Sequence, residues 1–187
     1  MELAYTEKAA PLRRPEGEGG WARLSHWDAG LSTSLRLADN RWRRLGKMVA
    51  HSGDAIFWLA AAAVMFFLLG TPTWQQMALR LVQAIVGAGI VAAGIKRIIR
   101  RPRPDGPPDG LYPAHDRYGF PSGHAVRVAA IAAALGPIVP GWLTVALALW
   151  AAAVALSRVL MGVHYFLDVL SGIVLGGVVG LALMIVG

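Results

Sequence analysis

Charge is almost absent from five long stretches of this chain, and that absence constrains the fold more than any other feature. The apolar spans run roughly over 53–70, 77–95, 125–139, 141–156 and 169–186. A helix needs about 20 apolar residues to cross a bilayer, so the third and fourth spans are short and depend on flanking residues. The 18 Lys and Arg lie mostly outside the spans. Nine fall in residues 1–52 and six between Lys96 and Arg117, leaving Arg80, Arg127 and Arg158 inside or beside apolar sequence. With 56% hydrophobic residues, above the roughly 45–50% usual for soluble domains, the chain reads as an integral membrane protein. The expected fold is all-α: a polytopic helical bundle of about five transmembrane helices preceded by an amphipathic surface helix.

Three regions follow from this pattern. Residues 1–20, rich in Pro, Gly and Glu, read as a flexible tail, and their lack of an apolar core argues against a signal peptide. Residues 21–52 carry Leu24, Trp27, Leu31, Leu35, Ala38, Trp42 and Leu45 at three- and four-residue steps with arginines between them. Such a stripe suits one or two helices lying at the headgroup boundary, or a helix packed on the protein itself. Residues 53–187 form the transmembrane unit. Within it, Gly172, Gly176 and Gly180 recur every four residues, and Gly87, Gly89 and Gly94 sit in the second span. Glycine stripes allow helices to approach closely, so these residues are read as packing devices without chemistry.

The cysteine count of zero excludes disulfides and thiolate chemistry. The net charge of +7 comes without an RNA-binding or helix-turn-helix pattern, so nucleic acid is not the expected partner. Basic residues flanking apolar spans instead suit anionic headgroups or phosphorylated substrates. Five crossings place the N-terminal segment, the loop 96–124 and the junction 157–168 on one side of the membrane. The other side receives "TPTWQQ", "GPIVPG" and the C-terminus, which carry no charged side chain. The positive-inside rule then puts the charged side in the cytoplasm.

Three polar clusters share that side. In "KRIIRRPRP", Lys96 and Arg103 offer an ammonium and a guanidinium fork for phosphate oxygens. Helix-end anchoring at headgroups explains the same residues, and Arg97, Arg100 and Arg101 are assigned to it. In "PSGH", Ser122 and Gly123 suit a helix start that receives an anion, or a plain cap. A cap does not account for His124, which suits a proton donor to a leaving oxygen. In "SRVLMGVHYFLD", Arg158 is an ionisable group in apolar sequence. His164 and Asp168, four apart, would share one helix face, the carboxylate fixing the imidazole tautomer. A buried ion network tying helices together is the structural alternative.

The three blocks Lys96-x6-Arg103-Pro104, Pro121-Ser122-Gly123-His124 and Ser157-Arg158-x5-His164-x3-Asp168 resemble the signature of the type 2 phosphatidic acid phosphatase superfamily. That group includes lipid phosphate and prenyl diphosphate phosphatases, bacterial acid phosphatases and vanadium haloperoxidases. The resemblance spans about residues 53–186 and implies specific roles. His164 would attack phosphorus and carry a phosphohistidine, with Asp168 orienting its ring. His124 would protonate the leaving group and later activate water. Lys96, Arg103 and Arg158 would neutralise the equatorial oxygens, with Ser122 and the Gly123 N–H completing the cradle. No metal or other cofactor is implied, and His26, His51 and His115 have no place in the signature. The family's larger membrane members have six spans against five here, and its peroxidases are soluble and much longer. The implied activity is therefore hydrolysis of a membrane lipid phosphate, such as phosphatidic acid, phosphatidylglycerol phosphate, a prenyl diphosphate or a lipid A-like phosphate. Two readings compete with it: a non-catalytic binder of anionic headgroups, and a metal-dependent hydrolase built on His115, His124, His164 and Asp168.

Overall fold

A computed structural model describes residues 20–38, 40–104 and 118–186. The N-terminal tail, the "DGPPDG" stretch and His115 lie outside the described residues. Among the described residues seven α-helices follow one another: α1 (Gly20–Ser34), α2 (Asn40–His51), α3 (Ala55–Ala63), α4 (Pro72–Ile99), α5 (Gly123–Leu135), α6 (Gly141–Leu160) and α7 (Phe166–Val186). A π-helical segment, Val64–Leu69, extends α3, and a short 3-10 turn, Gly136–Ile138, extends α5.

Local sequence explains the boundaries. Gly70 at φ 60 closes the π segment, and Thr71 caps α4, its hydroxyl accepting from the Trp74 N–H, with Pro72 at the first helical position. At the other end of α4, Arg100 takes a left-handed conformation at φ 49 and turns the following residues away from the helix axis. Gly162, at φ 74, makes the corresponding turn after α6. That turn corrects one expectation: His164 lies in the connection before α7, not on a helix shared with Asp168.

The short third span becomes the centre of the bundle. Its helix, α5, packs against α4, α6 and α7 and buries Ala125, Val126, Val128, Ala130, Ile131 and Ala134. A helix apolar all round is a core helix, and one enclosed by neighbours does not need the full bilayer length. Helices α4, α6 and α7 are each long and apolar enough to cross a membrane. The α2–α3 pair meets the same criteria only as a span broken by a bend of 41°.

The glycines of α7 face α5 backbone to backbone. A Cβ at Gly172 would lie 2.9 Å from the Ser122 carbonyl oxygen, and one at Gly180 would lie 2.6 Å from that of Ala130. At Gly176 it would run into the Val126 carbonyl. The packing role read for this stripe therefore holds, whereas in α4 only Gly87 approaches a neighbour, and Gly89 and Gly94 face open space.

Of the two arrangements open for residues 21–52, helix α1 takes the one packed on the protein itself. Its Trp21, Leu24 and Trp27 are exposed, while Asp28 and Ser32 are buried against the start of α7. The polar side faces inward because the start of α7 and the partly buried Arg101 guanidinium there need acceptors. The apolar side is left for lipid.

Substituting Gly176 by leucine forces α7 away from α5, and overpacking of this kind costs about 1–3 kcal/mol or more. Gly177, which has nothing within 4 Å of an added Cβ, serves as the control. Thermal unfolding in detergent is expected to show a clearly lowered Tm for Gly176→Leu and little change for Gly177→Ala.

Candidate active site

The end of α4, the starts of α5 and α7 and the end of α6 converge at one end of the bundle, and with them all eight residues singled out from the sequence. Arg103, Ser122, Arg158, His164 and Asp168 are each buried to 6% exposure or less. So many buried polar groups in one place require mutual compensation, because an isolated buried charge is costly.

His164 is held from two sides. Arg103 Nη1 stands 3.3 Å from Nε2, and Asp168 Oδ2 stands 3.7 Å from Nδ1. Arginine only donates, so Nε2 accepts and the ring proton belongs on Nδ1, facing the carboxylate. The tautomer is the one the sequence required, with the Nε2 lone pair directed at the basic residues. The His164–Asp168 distance is longer than a hydrogen bond.

Asp168 finds its shorter contacts elsewhere. Arg101 Nη1 donates to its Oδ1 at 2.7 Å and the Tyr165 N–H donates to Oδ2 at 3.0 Å. The second fork of Arg101 donates to Asp28 Oδ2, also at 2.7 Å, and its guanidinium lies 4.3 Å above the Tyr165 ring. Burial alone would lower the Arg101 pKa, but Asp168 and Asp28 together raise it above its ordinary value. The assignment of Arg101 to headgroup anchoring is thereby overturned: it is a structural cation of the site. Gly119 closes this corner, since a Cβ there would sit 3.0 Å from Asp168 Oδ2.

Ser122 occupies the N-cap position of α5, yet its hydroxyl makes no capping bond. Its Oγ is fully buried and has no hydrogen-bond partner among the described residues. The neighbouring Gly123 is the position that Lys96 approaches, Nζ lying 4.0 Å from where its Cβ would be. The backbone around Ser122 is fixed by its N–H, which donates to the Asp168 carbonyl at 2.9 Å. A helix N-terminus, an unengaged hydroxyl and an ammonium together make an anion cradle.

His124 has a partner that sequence reasoning missed. Its Nε2 lies 2.7 Å from Asp54 Oδ1, and the other carboxylate oxygen of Asp54 lies 2.8 Å from His51 Nδ1. A carboxylate accepts only, so Nε2 of His124 carries its proton toward Asp54 and Nδ1 is the nitrogen left for a ligand. The Ser52–Asp54 turn is clamped in place. The Trp58 and Trp150 indoles donate to the Ser52 carbonyl and hydroxyl, and Arg127 donates to the Gly53 carbonyl. His51, placed outside the signature, thus touches the site through Asp54, while His26 is not in it. The available signal was an acidic residue just ahead of an apolar span, which reads equally well as a helix start. No group of three or more His, Asp and Glu side chains suited to hold a metal ion occurs among the described residues.

Comparison with known proteins identifies the family. The model of the PAP2 superfamily matches residues 77–187. The chain is 30% identical over 174 residues to a lipid A 1-phosphatase of Rhizobium etli, covering 81% of this chain and 73% of the relative. It is 36% identical over 137 residues to a decaprenylphosphoryl-5-phosphoribose phosphatase of Mycobacterium tuberculosis, covering 71% and 73%. In fold it is similar to the crystal structure of a transmembrane PAP2-type phosphatidylglycerolphosphate phosphatase from Bacillus subtilis. That match has a TM-score of 0.72 at 24% identity and covers 87% of this chain and 85% of that one. With its motifs, helical bundle and family match in agreement, the chain belongs to the PAP2 superfamily, among its membrane phosphatases.

Proposed function

We propose that this protein hydrolyses a lipid-linked phosphomonoester or diphosphate through a phosphohistidine on His164. The single observation that carries this reading is the Ser122 hydroxyl: buried, without a described partner, and placed at a helix N-terminus beside Lys96. A dianionic phosphoryl group satisfies that hydroxyl, the α5 N–H groups and the cations Lys96, Arg103 and Arg158 at once.

In the first step the Nε2 lone pair of His164 forms a P–N bond while the bond from phosphorus to the leaving oxygen breaks. His124 gives that oxygen a proton from Nδ1. Asp168 offsets the positive charge that develops on the His164 ring. In the second step His124 takes a proton from water, whose oxygen attacks phosphorus and releases inorganic phosphate as the P–N bond breaks. Asp54 stabilises the protonated form of His124 and fixes which nitrogen faces the substrate.

An apolar groove supports a lipid substrate. It measures about 570 Å³ between α4 and α7, with Ile95, Ile98, Ile99, Phe120, Leu170 and Val174 in its walls. A second groove of about 250 Å³ shares Ile99 and Phe120 with it and reaches Arg101. A hydrocarbon tail lying there brings its headgroup to the loop that leads into Ser122. The relatives named above act on lipid A, a decaprenyl-linked phosphate and phosphatidylglycerol phosphate, which sets the substrates worth testing.

Purified protein is expected to release phosphate from at least one of phosphatidic acid, phosphatidylglycerol phosphate, a lipid A-type phosphate and a prenyl diphosphate. The KM should be lower for a long-chain substrate than for a short-chain form of the same headgroup. His164→Ala should remove activity by roughly 10³-fold or more. Equal inactivity of wild type and variant on every substrate rejects the enzyme reading in favour of a headgroup-binding protein. Asp54→Asn should lower kcat by roughly 10- to 100-fold, within the range of a weakened general acid; an unchanged kcat would remove Asp54 from the scheme. For orientation we favour a cytoplasmic site, from the cluster of basic residues at this end. A reporter fused after Gly187 should then be extracytoplasmic, and a cytoplasmic reporter reverses the assignment.

A further inference from the structure

The α1 helix reaches the reaction centre through one side chain. Asp28 is fully buried, and its two carboxylate oxygens do different things. Oδ1 accepts from the Leu167 N–H at 3.0 Å, and Oδ2 accepts from Arg101 at 2.7 Å. One turn further along α1, Ser32 Oγ accepts from the Phe166 N–H at 2.8 Å. Phe166 and Leu167 open α7, so their N–H groups are among those a helix cannot satisfy internally. Helix α1 therefore caps α7 from outside, directly ahead of Asp168.

The charge pattern goes beyond capping. Asp28, Arg101 and Asp168 form a line of alternating sign in which one guanidinium is divided between two carboxylates. With one cation and two anions the group carries a net charge of −1. Were Arg101 committed to Asp168 alone, the pair would be neutral, and Asp168 would have little charge left for the His164 ring 3.7 Å away. Sharing the cation with Asp28 preserves that charge and fixes the carboxylate's direction.

We propose that Asp28 is a positioning residue for the reaction, acting through Arg101 to hold Asp168 in its direction toward His164 and to leave the three-residue group with net negative charge beside that ring. The proposal rests on the phosphatase reading above. It makes α1 part of the reaction centre, in addition to any contact with lipid.

Two substitutions separate charge sharing from docking. Asp28→Asn keeps size and an acceptor for the Leu167 N–H but removes the charge. Ser32→Ala removes a docking bond and leaves the charges intact. Both variants are purified in detergent with the full chain, and kcat, KM and Tm are measured on the best substrate of the panel. For Asp28→Asn the expected result is a kcat lowered roughly tenfold or more, a KM within about threefold of wild type and a lowered Tm. For Ser32→Ala the expected result is a lowered Tm with kcat within about twofold. Arg101→Lys adds a variant that keeps the charge but lacks the fork needed to bridge two carboxylates, and it should show the same selective loss of kcat. Should Asp28→Asn fail to fold, Arg101→Lys alone decides the question. A wild-type kcat in Asp28→Asn or Arg101→Lys overturns the proposal, as does a loss of kcat in Ser32→Ala equal to that in Asp28→Asn. Wild-type protein inactive on every substrate would instead reject the phosphatase reading, and this proposal with it.

Discussion

Direct backbone contact between α5 and α7 is the constraint on which the rest of the structure depends. Glycines at 172, 176 and 180 let α7 lie against the α5 main chain, a separation no larger residue permits. The starts of both helices are thereby brought together, so Ser122 on one and Asp168 on the other are linked by a main-chain hydrogen bond. The α4 end then closes over this junction with Lys96, Arg101 and Arg103. Because the packing is steric, it holds the site without depending on the charges gathered there.

Those charges need balancing of their own, and the balance is distributed across the chain. Arg101 sits between Asp28 and Asp168, Arg103 stands against His164, and Asp54 stands between His124 and His51. All but the His51–Asp54 contact join parts of the chain more than 60 residues apart, and a buried ion pair that loses one partner is strongly destabilised. The site and the tertiary structure therefore support each other: the bundle positions the ionic groups, and the ionic groups tie α1 and the α2–α3 bend to the bundle. Next to this polar region runs the apolar groove between α4 and α7. Two adjoining surfaces of opposite character result, one polar and one apolar.

The legible part of the fold was the part that local chemistry decides. Charge-free spans gave the helices, and the four-residue glycine step gave the packing face of α7. The three polar motifs gave the eight residues that meet at one end of the bundle. Less legible were Arg101, Asp54 and Asp28. Arg101 stood in a run of five basic residues, where nothing local separates an anchor from an ion-pair partner. Asp54 looked like a helix start. Asp28 lay beside an apolar stripe that suited the headgroup boundary as well as packing on the protein, and nothing local named its partner.

By itself, then, the sequence determined a helical membrane protein and the end at which its polar motifs gather, and the resemblance of those motifs to a phosphatase family pointed to phosphoryl chemistry. Spacing along a helix and the cost of charge in lipid are local properties, and they can be read without coordinates. Only the tertiary structure decided which anion answers which cation, because those partners lie 67 to 73 residues apart and meet through packing. It also moved His164 off the helix and into a glycine turn, gave His124 its aspartate, and turned the polar side of α1 inward. Burial is the physical reason in each case: a charge removed from water must find its partner wherever the fold places one.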